Sequence, residues 1–127
     1  MGINPENMVM ADGSGLSRLD LVTPRQIVNL LSYMYKSDEF SKFYESLPIG
    51  GIDGTLINRM KKTAAENNVR AKAGYNNNVS SLSGYLKTIS GEQLVFSIIV
   101  NNYLTSPALA NYIQDNVCNR LVNFIRN

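Results

Sequence analysis

The run Gln93-Leu94-Val95-Phe96-Ser97-Ile98-Ile99-Val100-Asn101 constrains this chain more than any other stretch. A strand with one wet face alternates apolar and polar residues; here only Ser97 interrupts the apolar core of the run, so both faces call for cover. Ser90-Gly91 just before it is a hairpin signal, which joins it to a second strand over about 79–89. Asn76-Asn77-Asn78 is a further turn, because asparagine tolerates left-handed backbone. It joins the second strand to another over 69–74. The expectation is an antiparallel meander, 69–74, 79–89 and 93–101, with its most apolar strand last and therefore at an edge. Such an edge invites pairing with other chains. The sequence thus predicts that residues 3–11, or a second copy of the chain, cover 93–101.

Helices flank this meander. Thr23-Pro24-Arg25-Gln26 is a capping box with proline at the first helical position, and Ile27, Val28, Leu30, Leu31, Met34 and Tyr35 follow at helical spacing. Ser37 or Asp38 is expected to cap a second helix carrying Phe40, Phe43, Tyr44 and Leu47 into the core, ended by Pro48. After a glycine-rich loop over 49–54, a short helix beginning at Asp53 or Thr55 would carry Leu56, Ile57 and Met60. Arg59, Lys61 and Lys62 read as a solvated basic face. The last helix is expected over about 106–126, capped by Ser106, lying across the sheet through Leu109, Ile113, Val117, Leu121, Phe124 and Ile125. The fold class is α+β.

Several functions are excluded early. With 12 basic and 10 acidic residues the net charge is +2, and no run of five like charges occurs, so nucleic acid is not an expected partner. The absence of histidine removes Ser-His and Cys-His catalysis and most zinc sites; neither metal nor cofactor is expected. A single cysteine, Cys118, rules out an internal disulfide, and its apolar helical setting predicts a buried, inert thiol. The apolar run Leu94 to Val100 is too short to span a bilayer. Met1 to Ala11 lacks the basic start and apolar middle of a signal peptide.

Two stretches carry chemistry. In Val69-Arg70-Ala71-Lys72-Ala73-Gly74, alternation puts Val69, Ala71 and Ala73 on one face and Arg70 and Lys72 on the other. Such a strand can hold a cation over a cleft while its glycine leaves the backbone open to a ligand. The second stretch, Asp12-Gly13-Ser14-Gly15-Leu16-Ser17-Arg18, is a tight loop with two hydroxyls.

Together with Leu21-Val22-Thr23-Pro24, Leu47-Pro48-Ile49-Gly50-Gly51-Ile52-Asp53-Gly54-Thr55-Leu56 and Ser81-Leu82-Ser83-Gly84-Tyr85, these blocks resemble the C-terminal part of the class C low-molecular-mass penicillin-binding proteins. These are the serine-type D-Ala-D-Ala carboxypeptidases and endopeptidases of the bacterial cell wall. Order and spacing agree over nearly the whole chain. The resemblance implies part of a penicillin-binding-protein/β-lactamase-like transpeptidase fold, with residues 1–127 as a single domain lacking the SxxK segment. It also implies a periplasmic or cell-envelope setting, and a peptidoglycan stem peptide or β-lactam as partner of the complete protein. Self-association through 93–101 is the further partner expectation. In the family, strands from the N-terminal part pair beside the last strand of this sheet.

By resemblance Ser17 is the second-motif serine, which relays protons between catalytic groups. Lys72 is the lysine of the KTG motif, which supports that relay and helps to bind a substrate carboxylate. Ala73, Gly74 and Tyr75 offer backbone to the substrate, the Tyr75 amide standing at the oxyanion-hole position. Three departures qualify this. No serine here has lysine three residues on, so the acylated serine of SxxK is not in the chain. Ala73 stands where the family has threonine or serine, and one lost hydrogen bond to a charged group costs roughly 1.5–3 kcal/mol. Ser17-Arg18-Leu19-Asp20 has no asparagine at its end; Asp20 accepts hydrogen bonds but cannot donate as an amide does. Two functions follow: the C-terminal part of a D-Ala-D-Ala carboxypeptidase that is inactive alone, or a non-catalytic relative that binds wall peptides or a partner protein.

Overall fold

The computed structural model describes residues 8–126. Its sheet is antiparallel in the order β1 (Arg70–Asn76), β2 (Val79–Lys87), β3 (Gln93–Asn101). β3 has the bounds expected of it. β1 runs to Asn76 rather than stopping at Gly74, and β2 ends at Lys87 rather than residue 89. The chain reverses where expected, with Asn78 at φ +57° and Gly91 at φ +90°.

Helices cover both faces of the sheet. α1 (Pro24–Tyr35) and α2 (Phe40–Ser46) lie on one side and α3 (Pro107–Val122) on the other. The capping box of α1 forms: Gln26 N–H donates to Thr23 Oγ1 at 3.3 Å, and Thr23 N–H to Gln26 Oε1 at 2.7 Å. Other helix ends differ from expectation. Neither Ser37 nor Asp38 caps α2. Its N-cap is Glu39, without a side-chain bond, because Ser37 Oγ is used one step earlier, accepting from Glu39 N–H. The short helix expected near Thr55 is a single 3₁₀ turn, Gly54–Leu56, and Met60 and Lys62 at φ +62° and +60° keep it from continuing. Ser106 stands at the N-cap of α3 as expected but makes no side-chain capping bond, and α3 ends at Val122 rather than near residue 126.

Strand alternation sorts the core into two clusters. Ala71, Ala73, Leu82, Leu86, Leu94, Phe96 and Ile98 face α3. On the opposite face Tyr85 is fully buried among Phe40, Phe43 and Tyr44, its ring edge-on to each at 5.3–6.4 Å between centroids. Its hydroxyl donates to Leu31 O at 2.7 Å, and burial pushes its pKa up to about 12. Both faces of β3 are thus partly covered, with Phe96 buried and its neighbours half-buried. Gly84 allows β1 and β2 to pack closely: a Cβ there would collide with the Arg70 carbonyl and with Ala71.

α3 does not bury the stripe that its apolar spacing predicts. The buried row is Ala110, Gln114, Cys118 and Val122. Leu109 and Ile113 are 43% and 45% exposed, and Phe124 and Ile125 lie beyond the helix, also exposed. Only Val117 and Leu121 of the expected stripe are half-buried. Small residues in the buried row let the helix approach the sheet, while Gln114 and Asp115, bonded to Arg59, set its roll.

The outer edge of β3 pairs with no strand among the described residues. Residues 8–11 do not cover it, because Val9 pairs with Leu21 instead, exchanging both hydrogen bonds at 2.9–3.0 Å. Residues 3–7 of the expected cover lie outside the described residues.

Candidate active-site wall

Residues 48–50 cover the first part of the outer edge of β1. Ala71 N–H donates to Pro48 O at 3.0 Å, and Gly50 N–H donates to Val69 O at 2.8 Å. Beyond Ala71 the edge is open. In an antiparallel strand every second residue points its N–H and C=O to the same side. Alternation from Ala71 therefore turns the main-chain groups of Ala73 and Tyr75 outward. Gly74 between them is exposed, and a Cβ there would strike Ser81 Oγ.

Lys72 is exposed on the α1–α2 side, and its ammonium curls to the edge, where Nζ donates to Ala73 O at 2.6 Å. The rows of the sheet place Ser83 and Ser97 beside Lys72 on that face, their hydroxyls 2.9 Å apart. Arg70, one pair along, lies over the Tyr44 ring at 4.9 Å.

The Asp12–Arg18 loop is built around one carboxylate. Asp12 Oδ1 accepts from Ser14 N–H, Gly15 N–H and Ser14 Oγ at 3.0–3.1 Å. Desolvation raises the Asp12 pKa, but the Gly15 and Ser14 bonds outweigh it and leave the pKa below its ordinary value. Asp20 Oδ1 accepts from Ala11 N–H at 2.6 Å, so this residue serves as a local acceptor. Ser17 Oγ accepts from Leu19 N–H at 3.1 Å and makes no hydrogen bond to Lys72. The loop is nonetheless fastened to the open end of β1, since Asn76 Nδ2 donates to Leu16 O at 3.0 Å. No local pattern shows that tether, because Asn76 and Leu16 are 60 residues apart in sequence.

On the α3 side of the open edge lies a cavity of about 650 Å³, walled by Thr55, Arg59, Ala73, Gly74, Tyr75 and Asn111 among others. Arg59 is not a solvated cation, contrary to its sequence setting. Its Nη2 donates to Asp115 Oδ1 at 2.7 Å, to Gln114 Oε1 and to Asn111 O, and its Nε also reaches Asp115. These partners lie more than 50 residues away in sequence, so no local pattern could have shown them. The Cys118 thiol is fully buried nearby, and its pKa is pushed up to about 12 by burial and then by Asp115, with Arg59 opposing. No group of three metal-ligating side chains occurs among the described residues.

The sequence model of the D-Ala-D-Ala carboxypeptidase 3 (S13) family matches residues 1–124. The chain belongs to that family. Among its relatives, the D-alanyl-D-alanine carboxypeptidase DacB of Haemophilus influenzae is 37% identical over 106 residues, covering 82% of this chain and 22% of the relative. The D-alanyl-D-alanine carboxypeptidase of Actinomadura sp. strain R39 is 40% identical over 129 residues, covering 98% of this chain and 23% of the relative. The chain thus spans under a quarter of the length of these curated relatives. The crystal structure of penicillin binding protein 4 (dacB) from Haemophilus influenzae superposes with a TM-score of 0.87 at 32% identity, over 97% of this chain and 29% of that one; the same protein has also been solved with a β-lactam bound. Bd3459, a predatory endopeptidase of Bdellovibrio bacteriovorus, shares the fold at 19% identity and a TM-score of 0.80. The S13 chain described here is therefore α+β with part of the penicillin-binding-protein fold.

Proposed function

We propose that this chain forms one wall of the catalytic cleft of a serine-type D-Ala-D-Ala carboxypeptidase acting on peptidoglycan stem peptides in the periplasm or cell envelope, and that it does not acylate by itself. The open edge of β1 from Lys72 to Tyr75 supports this reading most directly. A peptide laid along it would add as a strand, using the outward groups of Ala73 and Tyr75. The Tyr75 N–H would then stand ready for the oxyanion of the tetrahedral intermediate. The Lys72 ammonium, now on Ala73 O, would release that carbonyl to the peptide and turn its charge to the proton relay and the substrate carboxylate. Ser17 would take the second-motif role, brought near by the Asn76–Leu16 tether. The acylated serine and its lysine base come from an SxxK segment. On this reading residues 1–127 are the C-terminal part of one catalytic domain.

A fluorescent penicillin tests the proposal. The chain alone should remain unlabelled, and labelling should appear when a segment bearing SxxK is supplied. Covalent labelling of the isolated chain would sink the idea. Ala73 favours a second reading, in which the protein binds wall peptides or a partner protein without turnover, because a methyl group stands where the family places a hydroxyl. Hydrolysis of a D-Ala-D-Ala peptide by a full-length protein retaining Ala73 would remove that alternative.

A further inference from the structure

Alternation carries the direction of the main-chain groups from β1 across to β3. Ala71 N–H points away from β2, to Pro48 O, so Arg70, Lys72 and Gly74 bond inward to Tyr85, Ser83 and Ser81. Ser80, Leu82, Gly84 and Leu86 of β2 then turn toward β3 and meet Val100, Ile98, Phe96 and Leu94. The main-chain groups of Gln93, Val95, Ser97, Ile99 and Asn101 are left facing outward on the free edge of β3. That strand is nine residues long and holds no charged residue and no proline. Its register with β2 runs without a bulge. It therefore lacks the devices that keep sheet edges from pairing.

The residues of β3 are also chemically symmetric about Ser97. Turned end for end against itself, Gln93 falls opposite Asn101, Leu94 opposite Val100, Val95 opposite Ile99 and Phe96 opposite Ile98, with Ser97 meeting its own copy. Every pair is like with like: amide with amide at the ends, apolar with apolar within, a short hydroxyl at the centre. Cross-strand pairs of β-branched and aromatic side chains stabilise antiparallel strands. A slip of one residue sets the outward groups of one strand against the inward groups of the other. The next register that matches outward groups puts Ser97 against Val95 and Gln93 against Ile99, which mixes polar with apolar.

We propose that the 127-residue chain pairs with a second copy of itself through the edge of β3, antiparallel, with the twofold axis at Ser97. The two three-stranded sheets then join as one continuous sheet. The open β1 edges from Lys72 to Tyr75 lie at its far ends and stay free, so the pairing does not depend on the cleft reading. A strand arriving with an SxxK segment would compete for the same edge of β3 rather than add to the dimer.

Sedimentation equilibrium of the chain, with amide hydrogen exchange, tests this. At high micromolar concentration the mass should be twice the 14.1 kDa of one chain. The amides of Val95, Ser97 and Ile99 should exchange slowly there and faster on dilution. Ile99→Pro removes one outward N–H per copy and leaves the ladder to β2 intact; two lost hydrogen bonds should weaken the dimer about thirtyfold. Ser97→Lys and Ser97→Glu each place like charges opposite one another across the axis, which should weaken each self-pairing about fivefold. Mixing these two variants should give a mixed dimer tighter than either alone. Ile113→Lys, on the exposed side of α3, should leave the dimer as it is, and circular dichroism checks that each variant is folded. A chain that stays monomeric at every concentration overturns the proposal. So does a dimer that folded Ile99→Pro leaves unchanged. Should Ile99→Pro fail to fold, the charged pair decides: no preference for the mixed dimer overturns the proposal as well.

Discussion

α1 and α3 flank the same sheet, but they are held to it by different chemistry. α1 docks through an aliphatic and aromatic cluster, with Leu31 buried and Ile27, Phe40, Phe43 and Tyr44 packed around Tyr85. α3 docks through a row that reads as nearly neutral, Ala110, Gln114, Cys118 and Val122, and leaves Leu109 and Ile113 outside. Apolar spacing locates the buried face of a helix when greasy side chains alone set its roll. It fails where small residues permit close approach and a buried polar set supplies the anchor. On α3 that set is Gln114, whose Nε2 donates to Ser80 Oγ at 3.2 Å, with Asp115 and Asn111 gripping Arg59.

The contrast can be broken in a defined order. Leu31→Ala should cost about 3 kcal/mol in urea unfolding, as a large-to-small change in a core does. A cost below about 1 kcal/mol would mean that α1 is not the anchor of its layer. Gln114→Ala should cost about 2 kcal/mol, because Ser80 loses its donor and Arg59 an acceptor in a buried setting. Tyr85→Phe should cost about 1 kcal/mol near pH 8 through the lost bond to Leu31 O.

This last variant also sharpens the pH behaviour. The pKa of Tyr85 rises from 10.0 to about 12 and that of Cys118 from 9.0 to about 12 on folding. Above pH 9 the unfolded chain therefore loses protons before the folded chain does. Stability is fully present below about pH 9 and falls as pH rises toward 12. Tyr85→Phe should make that fall shallower above pH 10, read as urea midpoints across a pH series. The smallest effect belongs to Ile113→Ser, within about 0.5 kcal/mol of the parent. Should it cost as much as Gln114→Ala, the apolar stripe of α3 would be its packed face after all.

Much of the scaffold was legible because local chemistry decides it. The capping box at Thr23 and Gln26, the Asn78 and Gly91 reversals and the bounds of β3 depend on residues close in sequence. Lys72 could be placed on the correct face of its strand by alternation alone, but where the β1 edge opens depends on the distant segment 48–50 that covers its first part. What escaped the sequence depends on distant partners. Arg59 sits next to Lys61 and Lys62 and reads like them, yet its acceptors are on α3. Ser17 was legible as part of a tight loop, but its hydroxyl is occupied by Leu19 N–H.

Gly84 is not among the residues that wall the cavity, yet it sits opposite Ala71, where a Cβ would collide with the backbone of β1. Any side chain there would have to push Arg70 and Ala71 outward, and Lys72 to Tyr75 ride on the same strand. The position of that open edge is therefore set partly from behind, by an absent side chain. Variation at residue 84 would move the edge without changing a single group on it, so tolerance at this position is limited by alignment of that edge as well as by stability.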